Sequence, residues 1–157
     1  MFPKVVKQIA IIGPRETHPE WAASSSFRKI PSNNITQTTK NKNKMDNTVE
    51  QTLMHHLTAF GNNNLDEILK DYTDESVIMT PTGSIKGLTE IREFFKDFFA
   101  VIPTGSSFTM KQKTIVGNVA YIFWASESSS TKILAGTDTF VFEDNKIKYH
   151  TVADYRM

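Results

Sequence analysis

The stretch ILAGTDTFVFEDNKIKYHTVADY, residues 133–155, decides the fold of this chain. Its two halves, 133–142 and 147–155, follow the two-residue period of strands that bury one face. The polar residues 143–146 between them are typical of a tight turn. The stretch therefore predicts an antiparallel β-hairpin.

Two further segments with the same period, 108–116 and 119–126, precede this hairpin. Short turns separate all four segments, which indicates an antiparallel meander. Residues 119–125 are apolar or aromatic at every position. We expect both faces of that strand to be covered, one by helices and the other by a partner.

Helical patterns occupy the part of the domain before the meander. A helix over about 48–60 follows possible capping boxes at Asn47 or Thr48, and a second, shorter one is predicted over 65–72. A strand at 77–79 and a short return arm around Ile85 come next, and the clearest apolar stripe predicts a third helix over 88–102. The fold class is therefore α+β, with helices packed on a mostly antiparallel sheet.

Charge and composition divide the chain at about residue 45. Residues 1–45 hold eight Lys and Arg against two acids, and they end in a low-complexity stretch, 33–44, rich in Asn, Thr and Lys. We interpret 1–45 as a basic, disordered N-terminal extension and 46–157 as the domain. A transit sequence, a leader upstream of a functional start at Met45 and an ordinary flexible extension remain open interpretations.

Several classes of site and partner are excluded by composition. The chain has no cysteine, which rules out disulfides, thiolate metal sites and cysteine nucleophiles and is compatible with the cytoplasm, where we expect it. The apolar run 5–12 is far shorter than the roughly 20 residues of a membrane span. The acidic domain makes nucleic acid an unexpected partner, and neither a metal-ligand motif nor a phosphate-binding glycine loop is present. We therefore expect no metal and no cofactor.

Asp138 and His150 are the sharpest candidates for chemistry. If 142–146 forms a type I turn with Asn145 left-handed, Asp138 lies directly opposite His150, with Cβ atoms about 4.5–5.5 Å apart. A two-residue turn would instead place His150 on the other face. The predicted register gives Asp138 these neighbours on its own face: Leu134, Gly136, Phe140, Phe142, Val152 and Asp154.

An apolar wall that carries a carboxyl group and an imidazole suits proton transfer. Burial raises the pKa of a carboxyl group, and a nearby carboxylate fixes the tautomer of a histidine. The alternative interpretation is a cross-strand polar pair that serves the fold or a dimer contact.

Five stretches match the nuclear-transport-factor-2-like superfamily, and in particular its SnoaL-like domains, in order and spacing. The chain resembles this superfamily over residues 46–157, which implies a cone-shaped, cystatin-like roll with three N-terminal helices on a curved sheet. The resemblance specifies the fold better than the activity, because the superfamily includes isomerases, cyclases, dehydratases, epoxide hydrolases and binding modules. The matching stretches are 65–68, 72–77, 81–83, 87–95 and 138–147.

The resemblance carries over to single residues only in part. Asp138 occupies the place of the oxyanion-hole Asp of the steroid isomerases, and His150 that of the His in the Glu-His-Trp-Asp run of SnoaL-like cyclases. The rest of that run is missing in Tyr149-His150-Thr151-Val152. Thr80 stands where the isomerases have their general base, and His56 aligns with their helix-one Tyr. Isomerase chemistry of that type is therefore not expected.

Further residues are predicted to line a pocket, against the alternative that they pack structurally. Trp124 is expected in the core or at a dimer interface. His55, beside His56, is expected to face solvent. The predicted lining residues are His56, Tyr72, Met79, Thr80, Phe95, Phe98, Phe140, Val152 and Asp154.

Two functional hypotheses follow. The first is a cofactor-independent isomerase, cyclase or lyase that acts on a small hydrophobic molecule, with Asp138 and His150 sharing the proton transfer. The second is a non-catalytic ligand-binding or assembly module. In both, the outer sheet face is too apolar for water and predicts a homodimer. That face is assigned Ile133, Ala135, Thr137, Thr139, Val141, Ile147, Tyr149, Thr151, Ala153 and Tyr155.

Overall fold

The structure is a computed structural model, and it describes residues 32–157. Three helices pack on one six-stranded sheet with the order β2-β1-β6-β5-β4-β3, antiparallel except between β1 and β6. The predicted α+β class is confirmed. The elements are α1 Ser32–Gly61, α2 Leu65–Leu69, β1 Val77–Thr80, β2 Gly83–Lys86, α3 Gly87–Val101, β3 Ser107–Val116, β4 Val119–Glu127, β5 Lys132–Glu143 and β6 Lys146–Arg156.

Helix α1 is longer than predicted. The expected start at Asn47 or Thr48 was wrong, because the helix begins at Ser32 and continues to Gly61. The sequence has no proline or glycine between 32 and 60, so nothing interrupts the backbone hydrogen bonds of the Asn- and Thr-rich part. Residues 32–45, expected to be disordered, are therefore helical, while 1–31 lie outside the described residues.

The β5–β6 hairpin turns in two residues rather than three. Glu143 pairs with Lys146, and Asp144 and Asn145 have φ values of 50° and 61°, which is the left-handed pair that a type I′ turn requires. A bulge follows at once, since Phe142 pairs with Ile147 but Val141 pairs with Tyr149. The bulge adds one residue to β6 and cancels the change of face that the shorter turn produces.

The two irregularities leave His150 on the predicted face but in a different register. Asp138 pairs with Val152, and His150 pairs with Phe140. The predicted direct opposition of Asp138 and His150 was therefore wrong, and the two are diagonal neighbours on one face.

Two residues assigned to the outer face belong to the core. Ile133 and Ile147 are 2% and 0% exposed. Each lies beside a register shift, near Leu134 in β5 and Lys148 in β6, and a shift of one residue reverses the face that a side chain occupies. Leu134, predicted inside, is accordingly only half-buried.

The core fills the space between the helices and the inner sheet face. Helix α3 buries Ile91, Phe95 and Phe98 against it, as its apolar stripe predicts. Strand β4 contributes Ala120, Ile122 and Trp124 from its inner face. No helix within residues 32–157 is long and apolar enough to cross a membrane.

Candidate functional site

Asp138 and His150 face the interior from neighbouring strands. They are 9% and 3% exposed, on β5 and β6. Nε2 of His150 lies 3.9 Å from Oδ1 of Asp138, which is too long for a hydrogen bond. Both atoms are buried without a hydrogen-bond partner. Such atoms are uncommon in folded proteins and mark a place where a further polar group is favoured.

Trp124 holds the other carboxylate oxygen of Asp138. Its indole Nε1 donates to Oδ2 at 3.1 Å. The indole lies across Gly136, where a Cβ atom would be 2.3 Å from Cε2 of the ring, so only glycine allows this approach. The prediction of a core position for Trp124 is confirmed, but its bond to Asp138 was missed. The pairing of Trp124 with Gly136, which the sequence does not specify, brings the two together.

Tyr72 fixes the orientation of His150. The two residues are joined by a hydrogen bond of 2.9 Å between the phenol oxygen and Nδ1 of the imidazole. Burial, with Asp138 and Asp71 nearby, raises the pKa of Tyr72 well above its usual value, so the phenol keeps its proton and can donate it to Nδ1. A neutral His150 then carries its own proton on Nε2, which points towards Asp138.

Phe140 completes the positioning of the His150 ring. It lies opposite His150 in the sheet and stacks on the imidazole at a centroid distance of 4.3 Å. The stacking on Phe140 and the hydrogen bond with Tyr72 together fix the orientation of the His150 ring.

A second histidine and a second aspartate lie nearby. His56 on α1 is 3% exposed, and its Nδ1 is 3.8 Å from Oδ2 of Asp71. Burial, followed by His150 and His55, holds the pKa of His56 well below its usual value, so this ring is neutral at pH 7. The predicted second helix includes Asp71, but no sequence pattern indicates its contacts with His55 and His56. His55, expected to face solvent, is half-exposed and bonded to Asp71 at 2.8 Å.

Asp138, His150 and His56 border a small interior cavity of about 20 Å³. That is room for one water molecule. Predicted residues that line it include His56, Phe95, Phe98 and Val152 beside Asp138 and His150. The remaining lining residues are Leu57, Phe60, Phe108 and Trp124.

Five predicted lining residues do not border this cavity. Tyr72 and Phe140 contact His150 instead, and the other three lie elsewhere. Met79 is exposed on β1. Thr80 bonds Thr82 at 2.9 Å in the β1–β2 turn. Asp154 lies near the C-terminal end of β6. It forms a two-point ion pair with Arg156 at 2.6 and 2.8 Å. No group of His, Asp or Glu side chains in the described part of the chain is arranged to hold a metal ion.

Residues 53–150 match the family model of the SnoaL-like domain. The chain belongs to the SnoaL-like domain family. Tyr72, Asp138 and His150 all lie within the matched part. A comparison with curated proteins gives no match.

Solved structures with the same fold include several SnoaL-like and related proteins. A SnoaL-like protein from Burkholderia thailandensis is 15% identical with a TM-score of 0.56, covering 69% of this chain and 94% of its own. A candidate ketosteroid isomerase from Kribbella flavida is 11% identical with a TM-score of 0.60, and the match covers 69% of this chain and 78% of the isomerase chain. A candidate polyketide cyclase from Sinorhizobium meliloti is 13% identical with a TM-score of 0.54, and the match covers 66% of this chain and 94% of the cyclase chain. At these identities the likeness shows the fold of the SnoaL-like domain and not its activity.

Proposed function

We propose that this SnoaL-like domain binds a small lipophilic molecule with one carbonyl or hydroxyl group, and that Asp138 and His150 exchange a proton with it. The observation that carries the proposal is the pair of buried, unpartnered atoms at the cavity, Oδ1 of Asp138 and Nε2 of His150. A buried polar atom without a partner costs about 1–3 kcal/mol, so a ligand hydroxyl that accepts from Nε2 and donates to Oδ1 is strongly favoured.

The cavity must open to admit such a ligand. Its volume of about 20 Å³ is far below the roughly 300–1,000 Å³ of ordinary ligand sites. A surface hollow of about 290 Å³ lies next to it and shares Leu57, Phe60 and Phe108 with its lining. These three side chains, which we call the gate, separate the hollow from the cavity.

Phe108 is the part of the gate that moves most easily. It is 40% exposed and lies on the edge strand β3, whose residues are almost all exposed. Rotation of an exposed side chain takes picoseconds to nanoseconds. Displacing this ring joins the hollow to the cavity and gives a ligand a path to Asp138 and His150.

The polar groups around the cavity suit acid–base chemistry without a cofactor. Nε2–H of His150 can donate to a ligand oxygen, while Oδ1 of Asp138 accepts a proton or returns one. Trp124 positions Asp138 and Tyr72 positions His150, each through one hydrogen bond. The apolar remainder of the lining excludes water and favours a hydrophobic substrate.

A thermal-shift screen of small cyclic ketones and phenols tests the proposal. At a concentration 100-fold above Kd a ligand stabilises by about 2.7 kcal/mol, which raises Tm by about 8–10 °C in a domain of this size. The Asp138→Asn, His150→Gln double variant should lose most of that shift. Asp97→Asn, an exposed carboxyl on α3, is the matched control and should keep it. Equal shifts in all three proteins would contradict the proposal.

An assembly module is the second candidate function, and the nearly filled cavity favours it. The outer sheet face bears Tyr149 and Tyr155, which are 43% and 64% exposed, with half-buried Tyr121 and Phe123 on β4. A second copy that covers this face would bury these rings. Homodimer formation without any ligand binding would support this function over the first.

A further inference from the structure

The unpartnered buried atoms of this protein form two Asp–His pairs. Among the described residues, four buried side-chain nitrogen and oxygen atoms lack a hydrogen-bond partner. Two belong to Asp138 and His150, 3.9 Å apart, and two to Asp71 and His56, 3.8 Å apart. The second pair also reaches the cavity, because His56 lines it. The proposed function leaves this second pair without a role.

Asp71 presents an unpaired carboxylate oxygen to Nδ1 of His56, at a distance of 3.8 Å. Its Oδ1 is already engaged by Nδ1 of His55 at 2.8 Å, and Nε2 of His55 faces Glu67 at 3.3 Å. Oδ2 of Asp71 remains for Nδ1 of His56. An ionised carboxylate only accepts, so it favours His56 with its proton on Nδ1. The lone pair of a neutral His56 is then on Nε2.

His150 is arranged in the opposite way. When Tyr72 donates to its Nδ1, the proton of a neutral His150 lies on Nε2. The two rings meet edge to face with centroids 5.8 Å apart. The cavity between them therefore has a donor on one side and an acceptor on the other.

We propose that His56 is the proton acceptor of the cavity, with Asp71 as its positioning residue, so that His56 and His150 hold opposite tautomers. The inference rests on the proposed function and adds a second base to it beside Asp138. Nε2 of His56 takes a proton from the ligand, and the electron pair of the broken bond stays on the ligand. His150 donates to the oxygen that gains this charge. The imidazolium of His56 lies beside the Asp71 carboxylate, which stabilises it.

Charged and titratable groups around the second pair are few. His56 is faced by His150 from β6, by Tyr72 and Asp71 after α2, and by its neighbour His55. Helix α3 contributes Phe95, and β5 contributes Phe140 and, on the same cavity, Asp138. Asp71 is faced by His55 and His56 on α1, by Glu67 and by Lys146. Burial raises the pKa of Asp71 to about 6, so the group is ionised at pH 7. Below pH 6 it becomes a donor and favours the reversed tautomer of His56.

Long-range ¹H–¹⁵N NMR of the imidazole rings in ligand-free, full-length protein tests the inference. His56→Gln and His150→Gln assign the signals. At pH 7.5 we expect His56 protonated on Nδ1 and His150 on Nε2. Where Nδ1 of His56 and Oδ2 of Asp71 approach from 3.8 Å to hydrogen-bond length, one charge-assisted hydrogen bond gives a preference of about 10-fold or more. On lowering the pH to 5, His56 should reverse its tautomer with a midpoint near 6.

Two carboxyl variants separate positioning from general electrostatics. Asp71→Leu removes the acceptor, and the Nδ1–H preference of His56 should fall about 10-fold. Glu67→Gln, the matched control, removes the other carboxylate bonded to His55 and should leave His56 unchanged. If Asp71→Leu does not fold, Asp71→Asn, which cannot ionise, should abolish the reversal with pH.

The outcomes distinguish this inference from the proposed function. The same tautomer in both histidines of the wild type, or a His56 tautomer insensitive to pH and to Asp71, would overturn it whatever ligands bind. Opposite tautomers in a protein that binds no ligand would support the arrangement and refute the function.

Discussion

Gly136→Ala tests the close contact that positions Asp138. The added methyl group would lie 2.3 and 2.4 Å from Cε2 and Cζ2 of the Trp124 indole, against about 3.5–4.0 Å for an ordinary carbon contact. The indole is 1% exposed, and the cavity that it lines has a volume of only about 20 Å³. We therefore expect the ring to shift by at least about 1 Å and to lose its bond to Asp138.

The expected loss of stability follows from three terms. Overpacking a core costs about 1–3 kcal/mol, and losing a buried hydrogen bond to a charged group costs about 1.5–3 kcal/mol. Replacing glycine by alanine in a strand returns about 0.5–1 kcal/mol. The net loss is about 2–5 kcal/mol, a large part of the roughly 5–15 kcal/mol that stabilises a domain.

Urea unfolding of five proteins measures this effect. Gly136→Ala is compared with the wild type, with Trp124→Leu and with the double variant, in which the clash is absent and the alanine should cost less than about 1 kcal/mol. Gly61→Ala, with no atom within 4 Å of its added methyl group, is the control and should change stability by at most about 0.5 kcal/mol. The reasoning is refuted if Gly136→Ala costs less than about 1 kcal/mol, or if its cost is the same without Trp124.

Three further predictions follow. Folding raises the pKa of Asp71 from 3.8 to about 6, so between these pH values the folded protein binds more protons than the unfolded chain. The free energy of unfolding of the wild type should therefore fall between pH 4 and pH 6, by up to about 3 kcal/mol more than that of Asp71→Asn. Parallel pH dependences of the two proteins in urea unfolding would contradict this. Light scattering at micromolar concentration should give twice the chain mass, and Tyr149→Glu or Thr139→Lys should shift it towards the monomer; a monomeric wild type would rule out pairing through the outer face. A chain of residues 45–157 should melt within a few degrees of the full chain, since residues 1–44 offer little patterned apolar surface; a larger drop in the circular dichroism melt would show that they dock.

The order of helices and strands from 65 onward was readable from hydrophobic periodicity. The stripe of α3 and the two-residue pattern of the meander are local signals, repeated often enough to overcome single exceptions. The start of α1 was not readable, because the Asn- and Thr-rich residues 32–45 have weak helix propensity and no breaker.

The strand register was not readable, because two irregularities compensate. Asp144 and Asn145 both adopt left-handed conformations without a glycine, which makes a two-residue turn hard to recognise. The bulge after it then restores the face of His150. The prediction that Asp138 and His150 share a face was therefore confirmed although the turn assumed for it was wrong.

The partners of the candidate site come from distant parts of the chain. Tyr72 meets His150 across 78 positions, and Trp124 reaches Asp138 through the pairing of β4 with β5. Periodicity assigns a residue to a face but does not specify which side chains touch across it. The volume of the cavity likewise depends on how the phenylalanine rings of α1, α3 and β3 pack, which no local pattern encodes.

Intermolecular NOEs to a bound ligand test the central claim most directly. A cyclic ketone or phenol chosen by thermal shift would be titrated into labelled protein, and contacts would be assigned to its ring protons. Binding behind the gate predicts NOEs to the indole of Trp124 and the imidazole of His150, both lost in the Asp138→Asn, His150→Gln variant. NOEs confined to surface residues such as Met45 and Thr52, which line a separate hollow, would contradict the claim, and so would the absence of any binder.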